Sequence, residues 1–586
     1  MKKMEPSLVS KLFWNIMPVQ MLICSIGAVN SLIDGVIGSR FLGAEAMAAV
    51  GLFGPVSTII GGITSVICVG ATIMITTYMG KTQKESAGRI FSVVGIMVGL
   101  FTIVCSTALI VFAKPLAVLL GGNNGNTLLS DYIIGISIFL VFQMLSSYFM
   151  NGLQIICKTG KAYAALAVMG VSNALMDIFF VCVFKMGIFG LGLATGISFL
   201  LQALFILPTF LGNSSPLQFC RCQVTKDEFV QIIRGGLPTA LGSISMSLKG
   251  FILNGLLLQI GGTLAVAALS VENTYCWFLG SVTTGVSQAV LFLMSLYISE
   301  EDKDSLGEVY DISVKTSLAI GFGIAIIMSV LAKPFAALFY ANDPDTLALT
   351  TSSIRIFPWF LPFNILVFSL IRMYQAQNKT VITYIFSFAE NLVVAGCSFG
   401  LVHLFGTDGI WAALPVADAL LLIVMLVYVW IANKKVTFNS YDVMLLDKNF
   451  GVSDENRMSK TIYSLNDGIN ISKDVIDFCE RHSIDHKVSN ISGLCVEEIS
   501  ILLFHNAFNK VKDPQVDVRL IKKGDTLTIR LRNNGQSLFN GEKLKMDDSD
   551  DPCANVGIKL LQKLTEDINC NSILGLNVIT IRLKLS

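Results

Sequence analysis

Charged residues are scarce in this chain of 586 residues, since Asp, Glu, Lys and Arg together make up only 14% of it. The formal net charge of +1 argues against a basic nucleic-acid binder, and no nucleic-acid partner is predicted. No Walker A sequence occurs, so ATP-driven transport has no support. No CxxC motif occurs either, and the thirteen cysteines are scattered. We interpret them as reduced thiols rather than disulfides or metal ligands.

Apolar residues dominate instead. They account for 53% of the chain, and the mean hydropathy is +0.68. These values lie outside the range of soluble globular domains and predict a polytopic protein in a lipid bilayer. The basic N-terminus precedes a long apolar run without a small-residue cleavage site, so we predict a first membrane helix rather than a removed signal peptide.

Twelve apolar runs of about 20 residues or more are long enough to span a membrane. They lie near 13–42, 47–79, 90–113, 131–157, 163–184, 189–212, 237–261, 265–298, 312–332, 350–375, 381–404 and 409–431. With a cytoplasmic N-terminus, most Lys and Arg residues of the loops fall on the cytoplasmic side. We therefore predict a multi-pass plasma-membrane protein with both termini in the cytoplasm.

The first and seventh runs resemble each other. Aligning them on Pro18 and Pro238 sets Asp34 opposite Asn254. This pattern favours two six-helix halves, residues 1–222 and 223–435, with a substrate path between them. Chance similarity between two apolar runs is the alternative.

Residues 436–586 regain a soluble composition and predict a cytoplasmic α+β domain. A period-two stretch indicates a β-hairpin that turns at Gly524-Asp525. Helices are predicted over 475–481, 494–510 and 557–564. The predicted fold class is thus an all-α polytopic membrane protein of twelve transmembrane helices in two pseudo-symmetric halves, followed by an α+β domain.

Two acidic residues lie within apolar runs of the N-terminal half. Asp34 lies eight residues before the end of the first run and Asp177 seven before the end of the fifth, which puts both roughly 10–12 Å below the outer surface. An ionised group at that depth is costly unless it is paired, protonated or ion-bound. Asn173 shares the helix face of Asp177, and Thr195 lies at a similar depth in the sixth run.

These four oxygen-bearing side chains predict a site for Na⁺ or a shared proton, and for no other metal. Two neighbouring acids cannot both ionise easily, so the pair can load and release one cation. Pro18 removes a backbone hydrogen bond and is the predicted hinge of the first helix. The alternative for Asp34, Asn173, Asp177 and Thr195 is structural hydrogen bonding between helices.

The C-terminal half offers a second polar set, Lys249, Asn254, Glu272 and Glu390. Lys249 falls near mid-membrane, where an unpaired ammonium is costly. It either pairs with Glu390 or Glu272 or faces the substrate, and the second reading favours acidic or zwitterionic cargo. Asp418 and Arg372 are interpreted as structural or snorkelling residues.

Three stretches resemble the multidrug and toxic compound extrusion (MATE) family of cation-coupled antiporters. They are LIDGVIGSRFLGAEAMAAVGLFGP, NGLQIICKTGKAYAALAVMGVSNALMDIFF and GIFGLGLATG, within residues 10–432. The resemblance implies that Asp34, Asn173, Asp177 and Thr195 bind Na⁺ or H⁺. It also implies export of small organic, often cationic, compounds in exchange for the cation, without a cofactor.

The tail resembles the fold of histidine-kinase ATPase domains and anti-sigma-factor kinases through LCVEEISILLFHNAF, LRNNGQSLF and ANVGIKLLQKL. Glu498 is kept, but Leu502 stands where that family has the Mg²⁺-binding Asn. Asn533 replaces the Asp before Gly535, and Asn555 replaces the first glycine before Gly557. Leucine cannot coordinate Mg²⁺. We expect a degenerate domain that binds nucleotide weakly or not at all and regulates transport or docks a cytoplasmic protein.

The sequence thus predicts a non-enzymatic, ion-coupled antiporter for multidrug efflux with a regulatory tail. A lipid-linked precursor flippase is one alternative, and it requires a wide basic cavity. A membrane sensor that signals through the tail is another. Deleting residues 440–586 distinguishes the two hypotheses. An antiporter keeps its transport activity without the tail, whereas a sensor loses its output.

Overall fold

Long helices fill the first three quarters of the chain in the computed structural model. The structure describes residues 7–80, 84–121, 127–156, 158–211, 217, 219, 225–377, 379–447, 450–508, 511, 513–536, 539–540, 543–544, 567–573 and 576–585. Every one of the twelve predicted apolar runs is largely helical. These helices confirm the prediction of an all-helical membrane part.

Seventeen helices make up the described part of the membrane region, several of them halves of one broken run. In the first half they are α1 (Leu8–Ile37, continued by a π turn Gly38–Leu42), α2 (Ala44–Gly80), α3 (Lys84–Val111), α4 (Ala113–Leu119), α5 (Leu128–Ser137), α6 (Leu140–Ile155), α7 (Thr159–Asp177, continued by a π turn Ile178–Val183), α8 (Gly187–Ile206) and α9 (Pro208–Leu211). In the second half they are α10 (Lys226–Ser299), α11 (Lys303–Val330), α12 (Ala332–Tyr340), α13 (Pro344–Ile356), α14 (Leu361–Ala376), α15 (Thr380–Phe405), α16 (Thr407–Trp411) and α17 (Ala413–Asn433).

By length and apolar composition, ten helices of the described chain can cross a membrane, or eleven if the bent pair α5 and α6 forms one span. One of the ten, His486–Ala507, belongs to the tail. The segment Gly242–Ile298 covers two predicted spans, the seventh and eighth. They are separated inside α10 at Gly262, whose φ of 64° and ψ of −157° are not helical. Glycine suits this position because it adopts positive φ without steric cost.

The two halves of the membrane region touch backbone to backbone along α2 and α10. A Cβ atom added at Gly70 would lie 1.8 Å from the carbonyl oxygen of Ile232, and one at Gly236 would lie 1.8 Å from that of Val66. Only glycine permits such an approach, so these two positions hold the helices together.

Glu228, in the first turn of α10, joins the halves through charge. Arg89 of α3 forms an ion pair with its carboxylate, and Tyr78 of α2 donates a 3.0 Å hydrogen bond to Oε1. The amide and hydroxyl of Thr225 donate to Oε2 at 2.9 and 3.0 Å. Burial alone would raise the pKa of Glu228, but these hydrogen bonds and Arg89 lower it overall, so the carboxylate stays charged.

The tail is an α+β domain. After the short α18 (Ser440–Val443), it contains β1 (Arg457–Ile462), α19 (Leu465–Arg481), α20 (His486–Leu502, continued by a π turn Leu503–Ala507), β2 (Val516–Lys523), β3 (Thr526–Asn533), β4 (Phe539–Asn540), β5 (Lys543–Leu544), β6 (Asp567–Ile573) and β7 (Leu576–Lys584). Five strands form an antiparallel sheet in the order β1-β2-β3-β7-β6. Alternate residues of β2 and β3 pack under α19 and α20 in one apolar core.

The hairpin predicted at Gly524-Asp525 is confirmed, because Lys523 and Thr526 are partners across β2 and β3. The predicted helices over 475–481 and 494–510 correspond to α19 and α20, although both begin earlier than expected. The helix predicted over 557–564 lies outside the described residues.

Two compact units emerge from the chain's own contacts. One comprises Val19–Leu291 and Ser313–Met444, and the other comprises the tail from Leu445, the segment Phe292–Ile312 and the chain up to Pro18. The α10–α11 turn therefore belongs to the same unit as the tail.

Candidate functional site

Asp34 and Asp177 are brought together from two different helices. Asp34 lies one turn before the end of α1, and Asp177 is the last residue of α7. Their carboxyl groups lie within hydrogen-bonding reach of each other. Asp177 is fully buried, with 0% of its surface exposed. The pair predicted from depth alone is therefore a contact in the structure.

These carboxyl groups lack hydrogen-bond donors. Within the described residues, nothing donates to Oδ1 of Asp34 or to either carboxylate oxygen of Asp177. Two facing acceptors without a donor repel each other unless a proton or a cation lies between them. The oxygens thus fit a hard cation or a shared proton.

Asn173 lies one turn before Asp177 on the same face of α7. It is completely buried, and neither its amide nitrogen nor its oxygen has a partner among the described residues. A buried amide without partners is costly, so its oxygen is a further unsatisfied acceptor on this face.

Thr195 is half-buried on α8, and its hydroxyl donates to the carbonyl oxygen of Leu191 at 3.2 Å. Helix α8 packs against α7 and against the π turn at the end of α1. The hydroxyl oxygen keeps lone pairs after donating its hydrogen, so it can still act as a ligand. Of the four predicted residues, the structure joins Asp34 to Asp177 directly, whereas Asn173 and Thr195 lie on the helices that carry or adjoin them.

Tyr132 lies near this site, and the sequence analysis did not single it out. It is half-buried on α5, its ring packs edge-on against Phe53 at 5.8 Å, and its hydroxyl lies within electrostatic range of Asp34 and Asp177. Two glycines allow the backbones of α5 and α8 to lie close together. A Cβ atom at Gly135 would lie 2.5 Å from the carbonyl oxygen of Phe189, and one at Gly192 would lie 2.7 Å from the amide nitrogen of Ile136.

Pro18, the predicted hinge, is exposed within α1, and the helix runs through it without a break. The boundary between the two compact units falls directly after Pro18.

Lys249 lies near a group of acids in the C-terminal half. Glu272, Glu390 and Asp418 are within its electrostatic range. Glu272 also accepts a 2.8 Å hydrogen bond from the hydroxyl of Ser353. Lys249 is therefore close to three ionisable acids of this half.

Asp418 belongs to this group, although the sequence analysis set it aside. It is fully buried, and Asn364 donates to its Oδ2 at 2.9 Å. Its Oδ1 has no donor among the described residues. Its place in the last span, far along the chain from Lys249, carried no signal that the two residues lie near each other.

Asn254 has different neighbours. Its amide nitrogen donates to the carbonyl oxygen of Gly51 on α2 at 3.3 Å. It lies five residues after Lys249 on one helix, which turns the two side chains to different faces.

The described motif residues of the tail are buried or half-buried within the tail domain itself. Asn533 is completely buried. Its Oδ1 accepts from the amide of Gly535 at 3.1 Å, and its Nδ2 donates to the carbonyl oxygen of Asn577 at 3.4 Å. Glu498 and Leu502 are half-buried on α20. Asn555 and Gly557 lie outside the described residues.

Known proteins resemble the membrane part of this chain. The model of the MatE family matches residues 21–183 and 238–402. The multidrug export protein MepA of Staphylococcus saprophyticus is 23% identical over 437 residues, which cover 72% of this chain and 94% of the relative. MepA of Staphylococcus aureus is 24% identical over 438 residues with the same coverage.

Solved structures share the fold. An inward-facing MATE family transporter of the MOP superfamily superimposes with a TM-score of 0.62 at 21% identity, covering 70% of this chain and 96% of that one. A MOP superfamily transporter from Pyrococcus furiosus gives a TM-score of 0.59 at 21% identity and covers 71% and 93% of the two chains.

Proposed function

This chain belongs to the MatE family of multidrug export transporters, and we propose that it is a cation-coupled antiporter that exchanges H⁺ or Na⁺ for small organic or drug-like compounds. The contact between Asp34 and Asp177 carries this proposal. Its oxygens are buried and lack donors among the described residues, which suits a cation that binds and leaves in each cycle.

Charge neutralisation supplies the coupling. With a cation bound, the pair has at most one net negative charge and tolerates its apolar surroundings. Without the cation, repulsion between the two carboxylates favours separation of α1 from α7. Asn173 and Thr195 contribute further oxygens, and Tyr132 donates or withdraws its hydroxyl as the charge changes. Pro18 gives α1 a position at which it can bend.

The organic substrate moves between the two halves, residues 1–222 and 223–435. The contacts of Glu228 with Arg89 and Tyr78 hold the two halves together at the start of α10, where the neighbouring loops carry charged residues. This contact has to break and re-form if the halves rock during transport.

The excess of Lys and Arg on one side supports a plasma-membrane orientation with both termini in the cytoplasm. Residues 436–586 then form a cytoplasmic domain, for which we propose the role of a degenerate nucleotide-binding domain. The hydrogen bonds that occupy Asn533 support a regulatory role over nucleotide binding.

The acids around Lys249 favour a cationic or neutral substrate. Three acids lie within electrostatic range of the Lys249 ammonium, so this region does not offer a purely positive pocket for acidic cargo.

Transport in reconstituted vesicles tests the proposal. Asp34→Asn and Asp177→Asn keep the side-chain size but remove the exchangeable charge, and we expect both to abolish export driven by an imposed Na⁺ or pH gradient. Asp345→Asn, at an exposed acid in the first turn of α13, is the matched control and should transport normally. Full activity in both site variants would contradict the proposal.

A further inference from the structure

The turn between α10 and α11 is acidic and yet buried. It consists of Glu300, Glu301 and Asp302, and the side chains of Glu300 and Asp302 are only 5% and 7% exposed. Carboxylates in a turn at the end of a membrane helix normally reach water. Burying them requires partners that replace their hydration.

Three arginines of the tail sheet supply those partners. Arg519 lies on β2, and Arg530 and Arg532 lie on β3. Arg519 and Arg530 are directly opposite each other in the register. Residues that alternate with them, such as Leu520 and Leu531, belong to the apolar core under the tail helices. The arginines therefore occupy the other face of the sheet, which we call the arginine face.

Arg532 forms ion pairs with both buried acids. Its Nη2 lies 2.7 Å from Oδ2 of Asp302 and also contacts Oε2 of Glu300. Its guanidinium stacks over the ring of Tyr297, with 5.0 Å between the guanidinium carbon and the ring centroid. The side chain of Arg532 is 4% exposed, so these contacts are shielded from solvent and salt.

The other two arginines hold the backbone of the turn. Arg519 pairs with Asp302 at 3.0 Å and donates to the carbonyl oxygens of Glu300 and Glu301 at 3.5 and 3.2 Å. Arg530 donates to the carbonyl oxygen of Glu300 at 3.4 Å. Such bonds fix the orientation of the turn as well as its charge.

Asp302 remains charged in this environment. Burial by itself raises its pKa, but the charges of Arg532 and Arg519 and hydrogen bonds from Arg532 and Ser305 lower the pKa below its usual value. The ion pairs thus persist at neutral pH.

We propose that the arginine face is a docking surface for the α10–α11 turn and that docking restrains transport. The tail is joined covalently after α17 and is held by the turn at the end of α10. Arg457 of the tail also pairs with Asp304 at the start of α11 at 2.8 Å, and Lys11 of α1 donates to the carbonyl oxygen of Asp513 at 3.4 Å. A transport cycle that moves the end of α10 relative to α17 has either to break these buried ion pairs or to move the tail together with α10. This inference deepens the regulatory role proposed for the tail and names the surface through which the tail acts.

Docking is tested without measuring transport. A protease site is inserted after Asp447 in the full chain, the purified protein is cleaved in detergent at about 150 mM salt, and the fraction of tail that co-elutes with the membrane part is measured. We expect the wild-type tail to be retained. Asp302→Arg and Arg532→Glu should each lower the retained fraction about tenfold or more, because each leaves buried charges unpaired.

Two features keep this test independent of tail folding. Asp302→Arg leaves the tail sequence unchanged, so release of its tail cannot come from a misfolded tail. Arg481→Ala, at the exposed arginine that ends α19 on the side of the sheet opposite the arginine face, should retain the tail like the wild type. Retention in Asp302→Arg, whose tail sequence is unchanged, would overturn the docking surface, as would loss of the tail from the wild type.

The restraint is tested in uncleaved protein. Asp302→Arg should raise the initial rate of gradient-driven efflux in vesicles about twofold or more if docking slows the cycle. An unchanged or lower rate, in protein whose tail is released in the retention assay, would overturn the restraint. The retention assay stays informative even if the chain proves not to be an ion-coupled antiporter, so the two proposals fail separately.

Discussion

Asp34 and Asp177 lie within hydrogen-bonding reach of each other, and the oxygens Oδ1 of Asp34 and Oδ1 and Oδ2 of Asp177 receive no donor from the described residues. The two acids come from the first and the fifth predicted spans. Their meeting places two ionisable groups together inside the helical bundle, one turn away from the buried amide of Asn173.

Removing the hydroxyl of Tyr132 should weaken the cation site without destroying it. The hydroxyl of Tyr132 lies within electrostatic range of both acids, so it is placed to donate a hydrogen bond to a carboxylate during the cycle. Such a bond to a charged group contributes about 1.5–3 kcal/mol. For Tyr132→Phe we expect the cation concentration for half-maximal transport to rise about tenfold. Tyr163→Phe on α7 is the control, and equal behaviour of the two variants would remove Tyr132 from the site.

The close approach of α5 and α8 should make Gly192 intolerant of even a methyl group. A Cβ atom there would lie 2.7 Å from the backbone of Ile136. Overpacking of this kind costs about 1–3 kcal/mol, so Gly192→Ala should lower the midpoint of thermal unfolding in detergent. Gly99→Ala on α3 has no atom within 4 Å of the added Cβ and should leave that midpoint unchanged or raise it. The reverse order would contradict the packing.

Loss of Arg89 should loosen the contact around Glu228. In Arg89→Gln the carboxylate keeps its hydrogen bonds from Tyr78 and Thr225 but loses its ion pair. Spin labels at the exposed positions 85 and 227 report the distance between the start of α3 and the start of α10. We expect a broader distance distribution in the variant, whereas Lys114→Gln should match the parent protein. Identical distributions in all three would show that this ion pair does not hold the halves together.

The tail should bind ATP weakly or not at all. Leu502 offers no ligand for Mg²⁺, and both ends of the Asn533 amide are engaged with Gly535 and Asn577. Equilibrium titration of the full chain with labelled ATP and Mg²⁺ should give no saturable binding in the micromolar range. Micromolar affinity would contradict the degenerate reading of the motifs.

Residue spacing along single helices predicted that Asp34 and Asp177 come together, whereas their role in binding a cation stays a prediction. Counting residues to the ends of the first and fifth runs put Asp34 and Asp177 at one depth, and helical periodicity put Asn173 on the face of Asp177. The hairpin turn at Gly524-Asp525 was equally readable, because strand alternation and a turn dipeptide are local signals.

Contacts between helices were beyond that reasoning. Tyr132 lies on α5, which packs closely on α8 at Gly135 and Gly192, and no pattern around Tyr132 indicates which helices will lie near it. Asp418 likewise comes near Lys249 from a distant span. The acidic turn at Glu300 to Asp302 resembles an ordinary solvated loop until the arginine face is known.

The most direct test of the central claim is efflux from vesicles in which Na⁺ and pH gradients are imposed separately. The account predicts that one of the two gradients drives export by the wild type and that Asp34→Asn and Asp177→Asn each abolish this dependence, while Asp345→Asn retains it. Gradient-driven export that survives in both Asp34→Asn and Asp177→Asn would contradict a coupling role for the acidic pair.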